Sequence, residues 1–331
     1  MAVKLGLVVN PMSGRDVRRL AARATNMTHE AKRDIVARVA AGAAAVGVTD
    51  FYITKEPFRI SSMALEHMGL QARIHLVEHP LRNDASDTAK TVAAFREAGV
   101  DTFVSLGGDG TNRAIVREWP DVNLIPLSTG TNNVFPVLAE PTMAGMVAGL
   151  QAAGRLPQQD TTIRQRVKVL RIEGPQGADV GLIDAVLLRD DHVGNLLPFA
   201  ADKIARVVLS RAEPNAIGMS PIGGFIQPVY SADDAGLLVD ADPTRTEQGV
   251  YAPVSPGLFQ EVKVSRVRSI AFDESVTLAG PGVVALDGDR DIRLREGESA
   301  TVHLRRDGPW VVDIEAAMRW AVGQGMMAPQ I

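Results

Sequence analysis

The run Gly107-Gly108-Asp109-Gly110-Thr111 joins residues that can cradle a phosphate to one that can act on a hydroxyl. It lies between an apolar stretch, Thr102–Leu106, and a helical pattern carried by Ala114, Ile115 and Val116. Glycines at the carboxyl end of a parallel strand let the backbone approach a ligand closely. The first turn of the following helix then offers unpaired N–H groups to an anion. Asp109 is out of place in a loop that only holds phosphates, because like charges repel by about 4 kcal/mol at 4 Å and an effective dielectric of 20. It becomes useful beside a bridging Mg²⁺, or where a hydroxyl must be oriented and relieved of its proton. The competing explanation is a tight turn that needs positive φ, with Asp109 bonding its own backbone. Three glycines around one aspartate favour phosphate binding.

Three further clusters sit at similar places. Ser128-Thr129-Gly130-Thr131-Asn132-Asn133 follows the run Asn123–Leu127, and its hydroxyls and amides can bond ribose, base or phosphate oxygens without adding charge. A plain loop with an N-cap is the alternative there. Asn10-Pro11-Met12-Ser13-Gly14-Arg15 ends the first apolar run, where Ser13, the Gly14 backbone and the Arg15 guanidinium could face a triphosphate. Arg15, Arg18 and Arg19 could equally form a solvated helix face. In Leu286-Asp287-Gly288-Asp289-Arg290, two carboxylates flank a glycine between apolar runs, and a hairpin turn is favoured over a functional role.

These clusters need elements to position them. Short apolar runs at Leu5–Val9, Phe51–Ile53, Arg73–Val77, Thr102–Leu106 and Asn123–Leu127 read as strands. Helical spacing separates them: Ile35 to Ala43, Met63–Met68, Ser86 to Ala98 with Asp84 near its start, and finally Thr142 to Ala153. Such alternation predicts a Rossmann-like, doubly wound parallel sheet over residues 1–157. Beyond Pro157 the texture changes. Arg166–Glu173 and Asp179–Leu188 read as two strands about a Gly174–Gly177 turn, and Phe199 to Ser210 as a helix. Leu237–Asp240, Leu258–Val264, Val276–Ala279, Val283–Leu286 and Ala300–Leu304 follow as short strands, with Ile314 to Val322 helical again. An antiparallel, β-rich second domain over 158–310 is expected.

Composition narrows the function. The 331 residues suit about two domains at roughly 150 residues each. With no cysteine, thiolate metal sites, disulfides and cysteine nucleophiles are excluded. A net charge of -4 argues against a non-specific nucleic-acid binder. No apolar run approaches the ~18 residues of a membrane span, and the N-terminus reads as a strand rather than a signal peptide, so a cytoplasmic protein with no membrane partner is expected. Gly-Lys-Ser/Thr and Gly-x-Gly-x-x-Gly are absent, which excludes a P-loop NTPase and a dehydrogenase-type dinucleotide site after the first strand. His75 and His79, about 13 Å apart on a strand, are too distant to share a zinc, and no residue is assigned as a direct metal ligand.

Asn10–Arg19, Leu106–Thr111, Ser128–Pro136, Pro214–Gly218 and Ala285–Leu294 together resemble the NAD kinase, diacylglycerol kinase and sphingosine kinase superfamily, and within it the ATP-NAD/acetoin-catabolism protein X kinases. The resemblance implies an active site between the two domains, a segment from about Val311 onward packed back on the first, and a homo-oligomer. It also implies ATP and Mg²⁺ as cofactors. Asn10, Ser13, Gly14, Arg15, Gly107, Gly108, Gly110 and Thr111 would hold phosphates; Thr129, Gly130, Thr131, Asn132 and Asn133 would contact nucleotide. Asp109 would be the catalytic or metal-linked carboxylate, with Asp287 and Asp289 approaching from the second domain. Two departures stand out. Asp289 occupies a position where the lipid kinases carry a longer Glu, and the nearest equivalent of the NAD kinases' Asn-acidic pair is Ile183-Asp184. The leading expectation is therefore a kinase acting on a hydroxyl of NAD or another small metabolite. A lipid kinase, which would need an apolar groove near the cleft, and a nucleotide-binding regulator without turnover are the alternatives.

Overall fold

The computed structural model describes residues 2–14, 26–129, 133–244 and 249–327. Strands and helices alternate through the first half: β1 (Lys4–Val9), α1 (His29–Ala45), β2 (Asp50–Thr54), α2 (Ile60–Leu65) and β3 (Arg73–Val77). They continue as α3 (Ala85–Glu97), β4 (Thr102–Gly107), α4 (Asp109–Glu118), β5 (Asn123–Ser128) and α5 (Pro141–Ala152). Thr28 and Asp84 cap α1 and α3 by accepting from Ala31 and Ser86 N–H groups. Five parallel strands stand in the order β3-β2-β1-β4-β5. Every residue of β4 and β5 is buried, as a sheet covered on both faces requires. The order reverses between β1 and β4, and a doubly wound sheet opens its ligand crevice at that point.

One face of this sheet is closed by α1 and α5 crossing at very short range. A Cβ on Gly42 would lie 2.1 Å from the Thr142 carbonyl oxygen, and one on Gly145 would lie 2.0 Å from that of Val39. Gly145→Ala is therefore expected to force the helices apart at a cost of about 1–3 kcal/mol, seen as a lower urea midpoint. An unchanged midpoint would remove this account of the crossing.

The second half begins with β6 (Arg164–Arg166), β7 (Val169–Gly174), β8 (Gly177–Gly181), β9 (Asp184–Leu188) and β10 (Ile204–Leu209). After the short α6 (Ser220–Gly224) come β11 (Gly236–Ala241), β12 (Val250–Ser255), β13 (Leu258–Val262) and β14 (Val264–Ile270). The run closes with β15 (Ser275–Ala279), β16 (Gly282–Leu286), β17 (Asp289–Leu294), β18 (Ser299–Arg305), β19 (Trp310–Val312) and α7 (Ile314–Gly323). Two antiparallel sheets, β14-β11-β10-β9-β16-β17 and β15-β18-β7-β8, face each other across a core that includes Leu170, Leu187, Leu238, Leu278, Val284 and Val302. β12 and β13 form a separate hairpin. Then β19 returns to the first sheet, parallel to β5, with β6 antiparallel beyond it. The halves also share apolar packing, because Val180, Leu182 and Ile183 join Phe95, Phe103, Ile115 and Val116 in one cluster.

Four local expectations need correction. Phe199 to Ser210 is not a helix: a single 3-10 turn, Ala201–Lys203, leads into β10, paired on both sides. Its β-branched Ile204, Val207 and Val208 suit a central strand, and pairing overrides the helical spacing of its apolar residues. Asp179–Leu188 is two strands, because the chain turns a corner at Leu182-Ile183 from the smaller sheet into the larger. Leu258–Val264 likewise divides between β13 and β14. The helix placed at Met63–Met68 lies at Ile60–Leu65, ahead of Gly69 with its positive φ.

Candidate functional site

A cleft of ≈ 430 Å³ opens at the switch point and is bounded by both halves of the chain. From the first half it is lined by the ends of β1 and β4, the start of α4, Thr129 and Asn133. Opposite stand Asp184, the hairpin tip Asp287-Gly288-Asp289, and Ile217-Gly218 of the Pro214–Gly218 stretch. Arg15, Gly130, Thr131 and Asn132 lie outside the described residues, as do Arg18 and Arg19.

The β4–α4 junction shows what its glycines are for. None of Gly107, Gly108 and Gly110 has a positive φ, so a left-handed turn does not account for them. Close packing does. A Cβ on Gly107 would strike the Thr111 side chain at 2.4 Å, and one on Gly108 would meet Asn133 Oδ1 at 2.7 Å. On Gly110 it would touch Asp289 Oδ2, from the opposite half, at 3.0 Å. Buried Asn112 locks the junction by accepting from Ser105 Oγ (2.6 Å) and donating to the Gly108 carbonyl (2.9 Å). The N-terminus of α4 has no side-chain cap and opens into the cleft.

Asp109 is the first residue of α4. Its carboxylate accepts from the Phe135 N–H (2.9 Å) and the Val134 N–H (3.1 Å), tying the loop after β5 to the junction. Burial, reinforced by the nearby charge of Asp287, pushes the Asp109 carboxyl up to about 7. The two N–H donors and Arg211, whose guanidinium lies 5.5 Å over the Phe135 ring, pull the other way. Asn10 and Ser13 complete the near wall: Asn10 Nδ2 donates to Thr111 Oγ1 (2.9 Å), and Ser13 Oγ pairs with Thr129 Oγ1 (2.9 Å). Gly14 has the positive φ, 72°, that ends this loop.

Across the cleft, Asp287 and Gly288 form the two-residue turn between β16 and β17, both at positive φ as the tight hairpin demands. The turn reading of this motif is thus right, but incomplete. Asp287 also accepts from the N–H groups of Leu182 (2.8 Å), Ile183 (2.7 Å) and Asp184 (3.2 Å), pinning the corner between the two sheets. Asp287→Ala strands those donors, and a stability loss of about 1–3 kcal/mol is expected by chemical denaturation. A loss below 0.5 kcal/mol, roughly the effect of a neutral surface change, would show that water replaces the carboxylate. Asp184 is buried, its Oδ1 has no hydrogen-bond partner, and burial with the charges of Asp287 and Asp109 drives its carboxyl well above the usual range. Arg113 reaches out of α4 to Asp289 (3.2 Å) and Asp291 (2.7 Å), bridging the halves.

Residues 5–154 match the ATP-NAD kinase N-terminal domain, and residues 167–307 match the acetoin catabolism protein X C-terminal domain. A relative from Cupriavidus necator named acetoin catabolism protein X is 33% identical over 334 residues, covering 97% of this chain and 93% of its own length. The chain belongs to the acetoin catabolism protein X family. In this member the first half has a kinase-type fold, that of the ATP-NAD kinases, and the second is the β-rich half characteristic of acetoin catabolism protein X. No helix among the described residues is long and apolar enough to cross a membrane.

Spacing alone had not singled out several residues that shape this family member's site. Arg113 and Asn112 are hidden inside a helix pattern. Lys32 is wholly buried and donates to the carbonyls of Asn10 (2.8 Å), Pro11 (2.7 Å) and Ser13 (2.7 Å). Its signal was available: Lys32, Val36, Val39 and Ala43 recur at helical spacing on one buried face. His75 and His79 separate, one bonding Asp50 (2.7 Å) and the other Thr91 (3.1 Å). The site suits ATP through the uncapped start of α4 and the hydroxyl and amide groups of Asn10, Ser13, Thr111 and Thr129. Among the described residues no group of three His, Asp or Glu could hold a metal ion. A Mg²⁺ here would arrive on the nucleotide phosphates, and Asp184, which lines the cleft with Oδ1 lacking a hydrogen-bond partner, is a residue that could hold it.

Proposed function

We propose that this protein is an ATP-dependent, Mg²⁺-assisted kinase that phosphorylates a hydroxyl of NAD or another small metabolite. The observation that carries the reading is Asp109: a carboxyl raised to about 7, at the first position of α4, facing acidic residues of the other half across the switch-point cleft. A base with that pKa is matched to a hydroxyl proton at neutral pH.

Each residue then has a task. Backbone groups at the start of α4, with Asn10, Ser13, Gly14, Thr111, Thr129 and Asn133, hold the triphosphate; Gly107, Gly108 and Gly110 permit the packing that keeps them in place. Arg15, Gly130, Thr131 and Asn132 are assigned to nucleotide binding on the resemblance of their motifs alone. Asp109 orients the acceptor hydroxyl and takes its proton. Asp289, held by Arg113, borders the transfer path, while Asp287 acts by position, fixing the corner and raising Asp109. When bound, Mg²⁺ neutralises charge on the transferred group. We assign the protein to the cytoplasm and expect a homo-oligomer.

The test is ADP formation from ATP and Mg²⁺ against a panel holding NAD, acyl glycerols and, because the Cupriavidus relative's name refers to acetoin catabolism, small hydroxyketones and diols. Acceptor-dependent ADP formation that disappears in Asp109→Asn is the expected result. Tight ATP binding with no turnover on any acceptor would replace the kinase by a nucleotide-binding regulator.

A further inference from the structure

We infer that the acceptor is a hydroxyl compound with an aliphatic skeleton and no negative charge, and not a dinucleotide. The inference rests on the kinase reading and adds the chemical class of its second substrate.

The first argument is charge. Seven carboxyl side chains and one guanidinium, that of Arg290, belong to the described lining of the cleft. That guanidinium is already spent. Its Nε pairs with Asp191 at 2.8 Å, both side chains being at most 2% exposed; another of its nitrogens donates to the Asn195 carbonyl at 2.7 Å, and the group lies 4.5 Å over the Phe199 ring. Arg113, which is not among the lining residues, pairs through Nη2 with Asp289 and Asp291. A pyrophosphate linker on this wall would meet Asp184, Asp287 and Asp289, and the described lining offers no guanidinium or ammonium other than the paired Arg290.

The second argument is surface. Beyond the three aspartates the same wall is largely apolar: Leu197, Pro198, Ile217, Met219 and Pro256 line it with the Phe199 ring, beside Ser255 and the paired Arg290. Leu197 is 58% exposed, an apolar group left facing the cleft mouth. The Asp191–Arg290 pair and the Asn195 contact hold its segment against β17, so the wall is built before a ligand arrives. Carboxyls beside a largely apolar surface on one wall match a molecule with a hydroxyl head and a hydrocarbon body.

The full chain is assayed with ATP and Mg²⁺ on 1,2-propanediol, 1,2-butanediol, 1,2-pentanediol and 1,2-hexanediol. 2-Amino-1-hexanol serves as a cationic probe, with NAD and glycerol 3-phosphate as anionic ones. The expected result is kcat/KM rising about fourfold per added methylene, with both anions at least tenfold below hexanediol. The amino alcohol separates a neutral from a cationic preference within the class. Leu197→Asp flattens the dependence on chain length, with KM for ATP read in parallel as the control for folding. NAD turned over better than every diol, or a flat diol series, overturns the inference. Should no acceptor yield ADP, the kinase reading fails and titration calorimetry with Mg²⁺ and a non-hydrolysable ATP analogue decides this one separately. Diol binding that tightens with chain length sustains it; NAD binding tighter than the diols, or no diol binding, sinks it.

Discussion

At pH 8 the Asp109→Asn protein is expected to be more stable than the wild type while losing about 10²–10⁴-fold in phosphoryl transfer. The stability gain follows from the proton. Asp109 titrates near 3.8 in an unfolded chain and at about 7 in the folded one. Below pH 4 both states are protonated and the group is neutral to stability. Between roughly pH 4 and 7 the unfolded state ionises first, so wild-type stability falls; above 7 both are ionised and the full cost persists. A rise of about three pKa units corresponds to about 4 kcal/mol, of which part returns because Asn accepts less well from the Val134 and Phe135 N–H groups. A net gain of about 1–3 kcal/mol remains. Urea titrations of both proteins from pH 4 to 8 measure it, and the wild-type slope should weaken in the variant, leaving what Asp184 and Asp287 contribute. A variant less stable than wild type at pH 8 would show that Asp109 is held chiefly for its hydrogen bonds. The activity loss is the value of general-base catalysis, about 10²–10⁴. Together the two changes would mark Asp109 as a residue kept against the interest of folding.

How far the sequence disclosed this arrangement depends on what each residue answers to. The first five strands were legible because β4 and β5 are apolar throughout and bounded by Gly, Asn and Pro, so local pattern and tertiary role agree. The second half was legible in kind and not in its joints. Nothing local in Leu182-Ile183 marks a corner, because the group that fixes it, Asp287, stands more than a hundred residues away. The β10 segment misled for a related reason: Ile204, Val207 and Val208 fit either period, and two long-range partners settle the matter. At the candidate site, Asp109 drew attention because a carboxylate among glycines is chemically odd. Its bond to Phe135 and its repulsion by Asp287 were not legible, being distances across the fold. The glycines stood out in the sequence but their packing role did not, since protein side chains, those of Thr111, Asn133 and Asp289, crowd the space their Cβ atoms would need.

Lys32→Met should be the most damaging single change outside the cleft lining, costing about 3–5 kcal/mol of stability and most of the affinity for nucleotide. The side chain is fully buried, and its ammonium is a hub for three carbonyls, those of Asn10, Pro11 and Ser13. Methionine fills a similar volume, so packing alone would predict a mild effect. The loss comes instead from leaving the Pro11 and Ser13 carbonyls without the ammonium donor, while the Asn10 carbonyl keeps only the Ser13 hydroxyl and N–H. Those carbonyls shape the loop that presents Asn10 to Thr111 and Ser13 to Thr129, so the near wall of the cleft would lose its form along with its anchor. Arginine would not restore it, because a planar fork cannot point three donors at oxygens converging on one point. Urea unfolding and ATP-induced thermal shift separate the two consequences. A destabilised Lys32→Met chain that still binds ATP at wild-type strength would mean the loop holds its shape unaided, and with it would go the claim that a lysine nineteen or more residues away in sequence organises the phosphate side of the cleft.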